Sequence, residues 1–309
     1  MALRAADAVT MVNGEFGMKD IMDDPRAIAV VRAALAEDIG TGDATTLALV
    51  DPEVTATGEI LAREACRVAG ATVGKCVLEC VDPSLCVEIV VPDGGDVAKG
   101  DTILTMKGKA ASILIAERTA LNFMQRMCGI ATLTRRFVEA VKEHGTMILD
   151  TRKTTPNFRL FEKYAVLCGG GTNHRFGLYD RVLLKDNHRR LWQGGDPDRL
   201  DLAVAAARKA YPQLAVEIEV ESVAECVSAL RGKPEWIMLD NMGCGMMREC
   251  VALCRGISRT EASGGITLER AREVAATGVD AISLGCLTHS APSVDLSLEW
   301  REESQPARS

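Results

Sequence analysis

The stretch LDTRKTTPNFR, Leu149 to Arg159, follows an apolar run and sets Arg152, Lys153 and Arg159 within eight residues. A little further on, GGGTNHRFGLYDRVLLKDNH adds His174, Arg175, Arg181 and Lys185. The whole chain carries a net charge of −7. A local cluster of cations on an acidic chain points to a small anionic ligand rather than to a nucleic acid, whose phosphate backbone attracts broad basic faces. A solvated turn is the ordinary fate of such a run. Here Arg152 and Lys153 come straight off a buried strand, which favours a ligand. His174 on its own would read as a satisfied structural residue, and its cationic neighbours raise the ligand reading. Lys185 is read as lying within a strand otherwise made of Val and Leu. An ammonium in apolar surroundings needs a counter-ion or ligand, with a Schiff-base lysine as the competing role.

Other polar residues fall at the ends of apolar runs. AVEIEV carries Glu217 and Glu219, WIMLDN ends in Asp240 and Asn241, TEASGG in Ser263, Gly264 and Gly265, and AISLGC contains Gly285. Glu219 and Asp240 suit an acid/base pair, or a hold on Mg²⁺ and sugar hydroxyls. Glu217 has the parity of Glu219, so spacing alone does not choose between them. Backbone N–H groups at Ser263, Gly264, Gly265 and Gly285, near helix starts, suit a phosphate. Together these groups fit a sugar phosphate beside a small polyanion.

The elements that must position them follow from periodicity. DDPRAIAVVRAALAEDIG reads as a helix with Asp24 as cap, Pro25 at its first position and Gly40 as its stop. Residues 54 to 110 are β-rich, with PDGGDVAKGDTILTMKG as tight turns between two strands. ASILIAERTALNFMQRMCGIATLTRRFVEAVKEH is helical in period, with an interruption expected at Gly129. From residue 147, short apolar strands MILD, RVLLKD, AVEIEV, WIMLDN, TEASGG and AISLGC alternate with amphipathic segments. Such units predict a parallel sheet buried on both faces, as a closed or nearly closed α/β barrel, with a doubly wound sheet as the alternative. In either fold the carboxyl ends of the strands converge on one mouth, where these polar residues would gather.

With 309 residues, 47% hydrophobic and 26% charged, the chain has the composition of a globular protein of one large or two ordinary domains. The eleven cysteines form no C-x-x-C pair, and the spacings of Cys76 with Cys80 and of Cys244, Cys250 and Cys254 do not match common zinc sites. Scattered thiols imply a reducing cytosol. MALRAADAVTMVNGEFGMKD has no signal-peptide core, and no apolar run reaches the roughly 18 residues of a membrane span. The chain is therefore expected to be cytoplasmic, with neither membrane nor nucleic acid as partner.

In this order, EDIGTGDATT, ERTALNFMQRMCGIATLT, DTRKTTP, FRLFEKYAVLCGGGTNHRFGLYD, LLKDNH, EVE, MLDN, SGGI and LGCLTHS resemble the quinolinate phosphoribosyltransferase family over residues 25 to 300. RRLWQGGDPDRL, at 189–200, looks longer than usual for the family. The resemblance implies an N-terminal α/β sandwich domain, 1–125, then an incomplete parallel α/β barrel, 126–289, with the tail 290–309 packing back on the first domain. It implies transfer of phosphoribose from phosphoribosyl pyrophosphate to quinolinate with loss of CO₂, giving nicotinate mononucleotide and pyrophosphate, with Mg²⁺ required. By motif, Arg152, His174, Arg175 and Lys185 would hold the two carboxylates, and Arg118 would arrive from a neighbouring subunit of a homodimer with a shared site. Lys153 would contact the leaving pyrophosphate, beside Thr151. Glu219 and Asp240 would bind ribose hydroxyls and Mg²⁺, directly or through water. Ser263, Gly264, Gly265, Ser283, Leu284 and Gly285 would hold the 5′-phosphate. Rivals are a homologue on another substrate, such as a molybdate-transport-associated relative or the barrel-sharing nicotinate phosphoribosyltransferase, a Lys185 aldolase, and a biotinyl-type carrier modified at Lys107.

Overall fold

The structure, a computed structural model, describes residues 21–192, 195–196 and 198–301. Residues 1–20, on which the leader reading rests, part of the 189–200 stretch, and the tail beyond 301 lie outside the described residues.

The chain divides into two compact units that interleave in sequence, one holding 21–142, 153–172 and 285–301, the other 143–152 and 173–284. The first opens with α1 (Pro25–Ile39). As its residue types predict, the Asp24 carboxylate accepts from the Arg26 N–H and Gly40 ends it at φ 52°. After α2 (Ala44–Leu49) come β1 (Thr55–Ala62), β2 (Cys66–Arg67), α3 (Ala71–Val81), β3 (Cys86–Ile89), β4 (Asp96–Val97) and β5 (Thr102–Lys109). β1, β5 and β3 pair antiparallel in the order β1-β5-β3. Lys107 lies inside β5, opposite Thr57 and Cys86. A carrier lysine must stand at a hairpin tip, so this placement removes the carrier reading.

Next, α4 runs unbroken from Ala110 to Val141. The interruption expected at Gly129 does not occur. Glycine is there for close approach: a Cβ on it would lie 1.9 Å from the Pro292 carbonyl oxygen. Gly74 serves the α3–α4 contact in the same way, since a Cβ there would sit 2.5 Å from the Met124 sulfur. The buried face of α4, with Ile113, Ala116, Ala120, Met124 and Met127, carries much of this unit's core.

The second unit begins with β6 (Met147–Leu149). The chain then contributes α5 (Arg159–Cys168) to the first unit, where Phe158 and Phe161 stack with ring centroids 4.9 Å apart and Phe123 of α4 lies 5.1 Å from Phe161. Gly169 and Gly171 are packing glycines: added Cβ atoms would meet the Ala131 carbonyl at 2.5 Å and the Val166 side chain at 2.7 Å. From residue 173 the second unit continues through β7 (Val182–Leu184), α6 (Asp186–Arg190), α7 (Leu200–Ala210), β8 (Val216–Val220), α8 (Val223–Arg231), β9 (Trp236–Asp240), α9 (Cys244–Cys254), β10 (Arg259–Ser263), α10 (Leu268–Ala275) and β11 (Ala281–Ser283). Its sheet has the order β6-β11-β10-β9-β8-β7, with every pair parallel. From β7 to β11 chain neighbours are sheet neighbours, and β11 lies beside β6, which is the order of a barrel and not of a doubly wound sheet. Among the described residues β6 and β7 do not pair, so the barrel is incomplete. All five residues of β8 are buried, as a strand covered on both faces requires.

The chain returns to the first unit through α11 (Cys286–His289) and β12 (Leu296–Trp300), which pairs antiparallel with β1. Cys226 and Cys254, with sulfurs 3.6 Å apart, pack as buried hydrophobes, and all eleven cysteines are free thiols. Among the described residues no helix is long and apolar enough to cross a membrane.

Gly129→Ala is expected to lower the unfolding free energy, because overpacking against backbone costs about 1–3 kcal/mol, more than the ~1 kcal/mol of helix propensity it gains. Urea unfolding read by circular dichroism checks this; equal or greater stability would contradict it.

Candidate active site

Four residues of the second unit, Arg152, Arg175, Arg181 and Lys185, line one cavity of about 880 Å³. The strands put them there: Arg152 lies just past β6, Arg181 just before β7, Lys185 directly after it, and Arg175 on the 173–181 loop between. The remaining wall is mostly apolar, with Tyr179, Trp192 and alanines of α7, but it also carries His188, Arg189 and Gln213. Burial, and after it the like charge of Arg152, pulls the Arg175 pKa down, while Glu217 and Asp180 act the other way. Two guanidiniums that repel each other across a partly buried cavity gain by the arrival of an anion, and the guanidinium fork matches a carboxylate.

Beneath these cations lie carboxylates. Glu217 and Glu219 share a strand face, as parity requires, and the structure separates their tasks. Glu219, near the end of β8, accepts from the Lys185 ammonium at 2.5 Å. Lys185 thus stands at the end of its strand with a counter-ion, and an ammonium engaged in this way is a poor Schiff-base nucleophile. Glu217 sits one layer deeper, fully buried, and accepts from Arg181 at 3.1 Å. Arg175 in turn donates to the Arg181 carbonyl at 3.2 Å.

His174 joins this buried layer and is not part of the cavity lining. Its Nδ1 accepts the Arg175 N–H at 2.7 Å, and its Nε2 lies 3.1 Å from Glu217 and 3.4 Å from Glu261. Burial works against a charged imidazole, and the two glutamates oppose it and raise the pKa; with Nδ1 accepting from Arg175, the ring's proton lies on Nε2, toward Glu217 and Glu261. Burial likewise opposes ionisation of Glu217, yet His174 and Arg181 bring it down to about 2. Glu261 goes the other way, raised by burial and by the charge of Glu217. Two acids this close in a dry interior shift apart, one down and one up. Asp150, also fully buried, fixes the start of the same loop by accepting from the His174 N–H at 2.9 Å and the Asn173 amide at 2.6 Å. Glu261 was not singled out from the sequence, although a carboxylate inside the TEAS strand, two residues from Ser263, was a signal. Arg181 was counted among the cations but given no task.

The other strand ends carry the remaining candidates. Asp240 ends β9 and accepts from the Asn241 amide at 2.7 Å. Asn241 takes φ 53°, and Gly264 follows β10 at φ 96°, where a Cβ would sit 2.1 Å from the Asn241 side-chain oxygen. Glycine is thus needed at 264 for both conformation and space. Gly265, at φ 56°, is exposed. Ser283 is buried, and the Leu284 N–H donates to the Leu149 carbonyl at 3.0 Å. Thr151 is half-buried between Asp150 and Arg152. Arg118, Lys153 and Gly285 belong to the first unit. Arg118 is exposed on α4, and Lys153 is exposed with its stem against Gly285, where a Cβ would be 3.0 Å from the Lys153 Cδ. Glu219 and Asp240 carry carboxylate oxygens, the hard donor type that Mg²⁺ takes. Among the described residues, the three-residue group that could close around a metal ion is instead His174, Glu217 and Glu261.

Glu217→Gln is expected to cost about 3 kcal/mol at pH 7, because it leaves Arg181 and His174 facing a neutral amide in the interior. The folded pKa of Glu217 lies below the unfolded value near 4.5, so its contribution is full above pH 4.5 and fades toward pH 2. The gap between variant and wild type in denaturant unfolding therefore narrows from pH 7 to pH 3. A gap of the same size at both pH values would contradict the assignment.

Residues 43–128 match the family model "Quinolinate phosphoribosyl transferase, N-terminal domain", and residues 130–299 match its C-terminal domain. The chain is 43% identical over 286 residues to "Quinolinate phosphoribosyltransferase [decarboxylating] 1" of Nicotiana glauca, covering 87% of this chain and 81% of that one. It is 40% identical over 263 residues to "Probable nicotinate-nucleotide pyrophosphorylase [carboxylating]" of Bacillus subtilis, covering 85% and 89%. The solved nicotinate-nucleotide pyrophosphorylase of Francisella tularensis superposes with a TM-score of 0.83 at 37% identity, over 89% of this chain and 96% of that one. With both domain models matched in order and relatives at this identity aligned over most of their length, the chain belongs to the quinolinate phosphoribosyltransferase family.

Proposed function

We propose that this chain transfers the phosphoribosyl group of phosphoribosyl pyrophosphate to quinolinate and releases CO₂ and pyrophosphate, forming nicotinate mononucleotide for the de novo synthesis of NAD. Family membership supports the reaction, and one observation carries its assignment to a site: Arg152, Arg175 and Lys185 line a single cavity on an acidic chain. The density of cations favours a dicarboxylate over the single carboxylate of nicotinate. Arg152, Arg175 and Lys185 grip the two carboxylates, joined by Arg118 from a second copy in a homodimer. His174 acts from below, holding the Arg175 backbone through Nδ1. The free thiols suit a reducing compartment, the cytosol.

The chemistry needs no enzyme nucleophile. The pyridine nitrogen attacks ribose C1, and the C1–O bond breaks with its electrons leaving on pyrophosphate. Positive charge builds at C1 during this step, and Glu219 and Asp240, placed at the ribose, favour it. Lys153 balances the negative charge on the departing pyrophosphate. Mg²⁺, when bound through Glu219 and Asp240 directly or through water, neutralises phosphate charge. The nitrogen is now cationic and draws in the electrons of the adjacent C2–carboxylate bond, so CO₂ leaves and C2 takes up a proton. Thr151, Ser263, Gly264, Gly265, Ser283, Leu284 and Gly285 orient the sugar phosphates, largely through backbone N–H groups.

The test is to mix the protein with Mg²⁺, phosphoribosyl pyrophosphate and quinolinate and to look for nicotinate mononucleotide, with nicotinate and nicotinamide in parallel. Product from quinolinate alone is expected; product from nicotinate alone would overturn the proposal. Arg175→Ala is expected to raise the quinolinate KM about 10–100-fold, the loss of a charge-assisted bidentate contact. Lys153→Ala is expected instead to lower kcat by about 100-fold with quinolinate KM little changed, because leaving-group charge appears only in the transition state. A purely raised quinolinate KM in the lysine variant would contradict its role.

A further inference from the structure

The segment that carries Lys153 is held at three successive residues. The Lys153 carbonyl accepts from the Thr288 hydroxyl at 2.8 Å. The Thr154 hydroxyl accepts from Arg159 at 2.9 Å. At Thr155, the N–H and the hydroxyl each donate to Glu162, both at 3.1 Å. Two of these holders, Thr288 and Glu162, lie far apart in sequence and meet on one side chain. Arg126 of α4 donates to Glu162 at 2.9 Å, to the Ala291 carbonyl at 2.6 Å and to the Thr288 carbonyl. Glu162 and Thr288 are fully buried, and the Arg126 side chain is largely so. A buried carboxylate without its cation would be costly, so Glu162 depends on Arg126. Arg126 reaches acceptors in three directions, which a planar fork does and a lysine point charge does not.

We propose that Arg126 is a positioning residue for the reaction: through Glu162 on one side and Thr288 on the other, it fixes the backbone from Lys153 to Thr155 and so the height at which the Lys153 ammonium stands. This rests on the leaving-group role proposed above for Lys153. Neighbouring residues of the same helix also grip the returning tail, Gln125 by donating to the Leu296 carbonyl at 2.9 Å and Gly129 by its closeness to Pro292. These contacts do not reach the lysine loop, and so they serve as a control for a merely structural effect.

The experiment compares Arg126→Lys, Thr288→Val and Gln125→Ala with wild type, scoring kcat per folded protein and the KM of each substrate by release of nicotinate mononucleotide, with melting curves alongside. Arg126→Lys is expected to lower kcat by at least about tenfold, with quinolinate KM within about threefold of wild type, because a misplaced leaving-group contact is lost in the transition state. Thr288→Val removes the hydroxyl at nearly constant volume and keeps the carbonyl that Arg126 uses, so it supplies the same readout if the arginine variant folds poorly. Its kcat is expected to fall in the same pattern. Gln125→Ala is expected to lower the melting temperature and leave kcat unchanged. If Arg126→Lys and Thr288→Val lose stability with unchanged kcat per folded molecule, the positioning role is overturned while the function stands. A wild type that makes no product from quinolinate overturns the function and the positioning role with it.

Discussion

Cations at the mouth of the barrel stand on carboxylates buried below it. Glu217 holds Arg181, whose carbonyl holds Arg175; Glu219 holds Lys185; Asp150 ties down the residue before Arg175. Positive groups gathered around one cavity repel, and a loop bearing them would swing apart unless something beneath it paid in opposite charge. Where the carboxylates are fully buried, as at Glu217 and Asp150, a low-dielectric interior makes these ties strong and their loss costly. The acidic floor therefore allows a cationic roof to exist before the ligand arrives, which is the preorganisation that charge-stabilising catalysis requires.

This layering was only half legible in the sequence. The six apolar strands and the polar residues at their ends were plain, because near-continuous Val, Ile and Leu runs mark strands covered on both faces. The barrel order followed once the strands were seen to pair with their chain neighbours. What could not be read was depth. Glu217 and Glu219 have the same parity, and only three-dimensional register shows that one reaches the rim and the other stays in the core. His174 looked like a rim residue because its neighbours are cations, yet backbone direction turns its ring inward, where Glu217 and Glu261 receive it.

Glycine was the other source of misreading. Gly129 reads locally as a helix breaker, and the run at Gly169 and Gly171 gives no local sign of its packing partners. In each case a missing Cβ lets backbone or side chain from elsewhere approach, and such partners are invisible to local rules. The capping signals at Asp24, Pro25 and Gly40 were legible for the opposite reason: they satisfy backbone groups within a few residues.

The pairing of β1 with β12 joins Gly58 to Trp300 across almost the whole chain. During synthesis, β1 leaves the ribosome long before its partner strand exists, with one row of N–H and C=O groups open. Loop closure over such a separation is slow compared with local contacts, and a bare strand margin invites pairing with other nascent chains. β12 is thus the lock on a sheet whose other strands are made long before it, and chains that stall before residue 296 should be the ones that aggregate or depend on chaperones.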